Sequence, residues 1–97
     1  MRESLNEPVS VICSYNAGLR RFSPLKLGWG KHAYKLGKVD FYHKTKNGTK
    51  VLHHFSVADD AASIYFKLCF DADTLNWTLE EYMNASEAKV QYGSEPA

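Results

Sequence analysis

Between residues 25 and 70 the apolar side chains recur at every second position, the period of a half-buried strand rather than of a helix. Leu25, Leu27 and Trp29 alternate with Lys26 and Gly28, and beyond Gly30-Lys31 the alternation resumes at Tyr34 and Leu36. Reading Gly30-Lys31 as a type II′ turn, with glycine in the position that demands a positive φ, sets Leu27 opposite Tyr34 and Leu25 opposite Leu36. Turn chemistry and register agree. Pro24, at the head of the run, suits a strand start or an edge.

After Leu36 the phase slips by one residue, to Val39 and Phe41, and Gly37 at the slip points to a β-bulge that bends the strand. A long bent strand over 31–44 belongs in a curled sheet or a small barrel. Asn47-Gly48 signals the next hairpin. A two-residue Asn47-Gly48 loop would oppose Phe41 to His54. A three-residue loop over 47–49 instead pairs Phe41 with Phe55 and Val39 with Val57, keeping the apolar faces together. A turn near Asp60-Ala61 then sets Val57 against Ile64, Phe55 against Phe66 and His53 against Leu68. The expected core is Leu25, Leu27, Tyr34, Leu36, Val39, Phe41, Phe55, Val57, Ile64, Phe66, Leu68 and Phe70.

Toward the ends the signals shorten. Pro8 to Tyr15, with Val9, Val11 and Cys13 alternating, reads as a short edge strand, followed by an Asn16-Ala17-Gly18 loop. Asp71 to Thr74 is a turn by composition. Past it, Leu75, Trp77 and Leu79 alternate as a strand would, whereas Thr78-Leu79-Glu80-Glu81 has the form of a capping box opening a short helix. The 97-residue chain is therefore expected to be all-β: five to six mostly antiparallel strands in a small curled roll or barrel over 8–85, with one short C-terminal helix as the alternative ending. A flexible 1–7 segment is expected before it and a polar tail over 86–97 after it.

In order, these features resemble a family of small bacterial proteins known only as a domain of unknown function. The residues that carry the likeness are Glu7-Pro8-Val9, Trp29-Gly30-Lys31, Tyr34, Tyr65-Phe66-Lys67-Leu68, Asp71 to Thr74 and Trp77-Thr78-Leu79. The match covers roughly residues 7–81 and departs in the His and Lys content around 43–54. The resemblance implies an all-β fold and no established activity.

Charge is distributed unevenly. Between Leu19 and His54 stand nine Lys and Arg against the one acid Asp40, a balance of +8, while Phe55 to Ala97 carries eight acids against two Lys, −6. The formal net charge of +1 hides this polarity, and a protein's local field rather than its total charge selects partners. All four His lie in the basic stretch, which gains further charge below about pH 6.5. No run approaches the roughly 20 apolar residues of a membrane span, and the first residues lack the apolar stretch of a signal peptide. Two cysteines, Cys13 and Cys69, are too few and too far apart for a secreted disulfide framework and read as two buried thiols in a reducing cytoplasm.

Catalytic signatures are absent from the sequence, and no enzyme activity is expected. Cys69 lies amid Tyr65, Phe66, Leu68 and Phe70 as packing, no nucleophile elbow occurs, and the acid pairs Asp59-Asp60, Asp71/Asp73 and Glu80-Glu81 fall in turns or solvated ends. In the expected register His43 and His53 oppose each other on one face, yet no third ligand falls at an obvious spacing, so no metal and no cofactor is expected. His53 and His54 point to opposite faces. The residues with the most functional look are Arg20, Arg21, Lys26, Trp29, Lys31, Lys35, Tyr42, Lys44, Lys46 and Lys50, cations interleaved with rings. They suit two non-catalytic roles. The first is docking a protein partner or a second copy, through charge or an exposed edge such as Val9 to Cys13. The second, ranked behind it, is binding single-stranded nucleic acid, where cations hold phosphates and rings stack on bases.

Overall fold

Six antiparallel strands close into a barrel in chain order: β1 (Glu3–Asn16), β2 (Arg21–Trp29), β3 (His32–Asn47), β4 (Lys50–Asp59), β5 (Ile64–Asp71) and β6 (Asn76–Asn84). The computed structural model describes residues 3–84. None of its described residues forms a helix long and apolar enough to cross a membrane. Two strands are long because each serves two neighbours. The first half of β1 pairs with β6 and the second half with β2. Similarly, β3 pairs first with β2 and then with β4. Bending a strand between two partners is how a sheet of so few strands closes, and closure leaves β1 flanked rather than at an edge.

Both tight turns place glycine first. Gly30 has φ 61° and Gly48 has φ 66°, while the residues that follow them keep negative φ. That is the II′ arrangement, whose twist matches the flanking strands. Leu27 faces Tyr34 as expected. The second hairpin differs from its expectation: Asn47 pairs with Lys50, so the loop is Gly48-Thr49 rather than the three residues 47–49.

Bulges account for that difference and for most of the others. β3 slips twice against β4, between Leu36 and Val39 and again between Val39 and Phe41. The first slip is the one Gly37 announces. The second, at Asp40, leaves Val39 against Val57 but moves Phe41 opposite Ser56 on the outer face, so Phe41 is 59% exposed and Tyr42 takes the inner position against Phe55. On β2, Ile12 pairs with Lys26 and Cys13 with Pro24, which leaves Leu25 as the inserted residue. Pro24 turns inward and becomes fully buried, while Leu25 is 46% exposed. Leu25 and Phe41 are therefore not core residues, because one extra residue per strand inverts the alternation beyond it.

The β4–β5 register is displaced by two: Val57 pairs with Phe66, Phe55 with Leu68 and His53 with Phe70. The loop is correspondingly longer, and the Asp59 carboxylate closes it by accepting from Ser63 N (2.7 Å), Ser63 Oγ (2.8 Å) and Ile64 N (3.1 Å). A shift of two keeps every side chain on its own face, so burial alone could not detect it. Desolvation acts to raise the Asp59 pKa, but the hydrogen bonds from Ser63 and Ile64 outweigh it and hold the carboxyl below the usual range.

At the ends, the helix suggested by the capping box does not form, since β6 runs as a strand through Asn84. Its inward residues Trp77 and Leu79 are buried and Tyr82 packs against the core, a gain that a short terminal helix could not match. β1 begins at Glu3 rather than Pro8, with Glu3 and Ser4 already paired to β6, so the expected flexible lead-in is largely strand. The tail over 86–97 lies outside the described residues.

The core is Leu27, Leu36, Phe55, Val57, Phe66, Leu68, Trp77 and Leu79. Phe22 caps it at one end, meeting Phe55, Phe70 and His53 edge-on at 5.3–5.4 Å and Trp77 at 6.3 Å. Such T-shaped contacts align ring edges with ring faces.

Candidate functional site

The consecutive antiparallel order puts the β1–β2, β3–β4 and β5–β6 turns at one end of the barrel and the β2–β3 and β4–β5 turns at the other. This sorting divides the ten residues picked from the sequence. Arg20, Arg21, Tyr42 and Lys44 come together at the first end; Lys46 and Lys50 lie on the β3–β4 tip beside them. Lys31 is in the opposite turn, and Lys26 and Lys35 face each other across the β2–β3 ladder. Trp29 is structural: its indole Nε1 donates to Glu7 Oε1 at 2.8 Å, and its ring packs against Tyr82 (4.9 Å) and Phe66 (6.5 Å).

The site itself follows from how β3 bends. The β2–β3 ladder spans only Lys26–Trp29 against His32–Lys35. Beyond it, Arg21 to Pro24 pair with β1 and Val39 to Asn47 pair with β4, so the two strands part. A groove of about 630 Å³ opens between them. Arg20, Arg21 and Lys44 stand on its walls, and Phe22, Tyr42, His53 and Phe55 supply rings. Arg20 reaches its place through a left-handed backbone (φ 53°) at the end of the β1–β2 turn, which Asn16 Oδ1 holds by accepting from Leu19 N at 3.0 Å. Phe41, turned outward by the second bulge, forms the rim, its ring 5.3 Å from that of His43 on the outer face.

The groove's polar groups are set by this packing. Tyr42 Oη and His53 Nδ1 share a 2.7 Å hydrogen bond, with the rings stacked at 5.9 Å. Burial raises the Tyr42 pKa, so its hydroxyl stays protonated. Burial first, then the charges of Lys44 and His54, lower the His53 pKa, so its imidazole is neutral at pH 7. Fixed positive charge at this mouth therefore comes from Arg20, Arg21 and Lys44, with Asp40 as the acid among the lining residues.

Elsewhere the two oppositely charged segments meet within one molecule. Lys50 Nζ lies 3.0 Å from Asp71 Oδ2, and within the acidic segment itself Lys67 Nζ lies 4.0 Å from Glu81 Oε1. Hydrogen bonding to Lys50 holds the Asp71 carboxyl below its usual range and, in return, raises Lys50. The sequence polarity is thus partly neutralised internally.

The expected His43–His53 pair does not exist. With the two-residue loop, His43 pairs with His54 and Lys44 with His53. His43 and His54 stack at 4.6 Å with 10° between planes, on the outer face. Beside them lies Cys69, whose thiol is pushed up to about 11 by burial first, then by Glu80 and Asp71. A thiol so protonated is a poor nucleophile at neutral pH. Sequence reasoning missed this group because His43 meets His54 only through a one-residue change of register on β3–β4, and Cys69 meets His54 only through the two-residue shift on β4–β5.

No family model, curated protein or solved structure matches the chain.

Proposed function

We propose that this chain is a non-catalytic binding domain that takes single-stranded nucleic acid into the groove between β2 and β3. The observation that carries this reading is the convergence of Arg20, Arg21 and Lys44 on a groove lined by Phe22, Tyr42 and His53 and rimmed by exposed Phe41. Cations on the walls neutralise phosphates, and an exposed ring offers a face on which any base can stack. Asp40 repels phosphate on the β3 side and so favours a backbone path along Arg20 and Arg21. A docked protein partner or second copy ranks first from the sequence alone. Its two arguments weaken here: β1 is flanked on both sides, and Lys50 of the basic segment already meets Asp71 of the acidic one. A cytoplasmic location belongs to the same proposal and agrees with Cys13 and Cys69 as free thiols, of which Cys69 is buried as expected and Cys13 is exposed. So does membership of the family of small bacterial domains, which adds no activity.

The test is fluorescence anisotropy of a labelled oligothymidylate titrated with the full chain. Three phosphate contacts on a single strand give a salt slope near −2, hence about a 20-fold loss of affinity between about 50 and 200 mM salt. Replacing Arg20, Arg21 and Lys44 together by Ala should remove most of the salt dependence. Phe41→Ala should weaken binding while leaving the slope unchanged. Absence of binding at the lower salt overturns the proposal; sedimentation showing concentration-dependent dimers in that case would return the lead to self-association.

A further inference from the structure

On the outer face of the barrel, away from the groove's interior, three neighbouring strands present ligand-type side chains side by side. His54 on β4 pairs with Cys69 on β5, and Cys69 pairs with Thr78 on β6. The register shift between Lys67 and Leu68 then leaves Glu80 as the inserted residue on β6, so that Glu80 and Glu81 both follow Leu79 outward. That bulge brings the Glu80 carboxylate level with Cys69. His54 Nδ1 lies 3.3 Å from Glu80 Oε1, and the ligand atoms of His54, Cys69 and Glu80 all lie within 4.8 Å of one another.

We infer that His54 Nδ1, Cys69 Sγ and Glu80 Oε1 form a site for a divalent transition-metal ion of the zinc type. Nitrogen, sulfur and carboxylate oxygen are the donors Zn²⁺ takes, and three protein ligands leave a fourth position open to solvent. The spacing fits. Bond lengths of about 2.0–2.1 Å to N and O at tetrahedral angles place those atoms about 3.3 Å apart, and a 2.3 Å bond to sulfur places S about 3.6 Å from each. The nitrogen–oxygen distance already has this value, and rotation of the Cys69 and Glu80 side chains by about 1 Å closes the remainder.

A second feature points the same way. A metal-bound imidazole is held by a partner at its other nitrogen, and His54 Nε2 lies 2.9 Å from Thr45 Oγ1. With the metal on Nδ1, the proton sits on Nε2 and donates to the Thr45 hydroxyl. The His43 ring stacked on His54 restrains the same imidazole from its face. Cys69, although on the outer side of the sheet, is only 8% exposed, so the sulfur is sheltered. As the metal–sulfur bond forms, the thiol proton leaves to solvent and the metal holds the thiolate.

Cobalt(II) reports directly on sulfur ligation. Titrating the full chain with Co²⁺ under a non-thiol reductant should give a thiolate-to-cobalt charge-transfer band at one equivalent, and excess Zn²⁺ should bleach it. The band should persist in Cys13→Ser and vanish in Cys69→Ser. Glu80→Gln, at a half-buried position that tolerates the change, should retain the fold by circular dichroism and weaken cobalt binding at least 10-fold. Zinc should also raise the melting temperature of the wild type and not of Glu80→Gln. A titration with no charge-transfer band, or a band that survives Cys69→Ser, overturns the assignment.

Discussion

Leu25 and Leu27 stand two positions apart on one strand, and strict alternation would bury both. The bulge at Leu25 separates them: Leu27 is 1% exposed and Leu25 is 46% exposed. Truncating a fully buried leucine to alanine loses its transfer free energy and leaves a cavity, a cost of about 3 kcal/mol with a range of about 2–5. In a domain of this size each kcal/mol lowers the melting temperature by about 4–8 °C, so Leu27→Ala should melt roughly 12–24 °C below wild type. Leu25→Ala removes a side chain that already faces water for half its surface, and should cost less than about 1 kcal/mol. Thermal and urea melts followed by circular dichroism give both numbers, with an unchanged urea slope as the check that the unfolded state is the same. Equal losses for the two variants, or a larger one for Leu25→Ala, would refute the bulge and with it the burial of Pro24.

Two further tests address the turns and the groove. Gly30 has φ 61° and open space where a Cβ would stand, so Gly30→Ala should destabilise through backbone strain alone, by about 1–2 kcal/mol, and Gly30→Asn by less; an unmoved urea midpoint for Gly30→Ala would contradict the II′ turn. His53 is more acidic in the folded chain than the ordinary 6.5, through burial and then Lys44 and His54. The unfolded chain therefore takes up this proton at a higher pH than the folded one. The stability involved is present above about pH 6.5 and lost as pH falls from there toward the folded pKa. Wild type should accordingly lose more melting temperature than His53→Gln between about pH 7.5 and 5.5, and equal losses would show that His53 is not held neutral by its surroundings.

How much of the molecule was legible depended on the range of the signal. The Gly30-Lys31 turn, the Leu27–Tyr34 pair and the bulge at Gly37 were readable, because a hairpin's register is set by a few adjacent residues. The bulges at Leu25, Asp40 and Glu80 were not. No glycine marks them, and each lets a strand bend between its two barrel neighbours, a demand of closure that no local turn residue announces. The site followed the same division. Cations and rings were visible as a list, but only the parting of β2 from β3 brought Arg20, Arg21 and Lys44 to one groove, while Trp29, in the part of the ladder that stays paired, packs against the core beside Tyr82.

The chain's own pattern of apolar alternation, punctuated by glycine turns, was sufficient for an all-β architecture of consecutive hairpins, since a period of two can bury one face only in a sheet. Tertiary closure decided which of two adjacent residues that face received, because each inserted residue exchanges inside for outside. Phe41 became a rim and Tyr42 a wall on that account, while the two-residue shift of β5 against β4 and the bulge at Glu80 brought Cys69 and Glu80 beside His54.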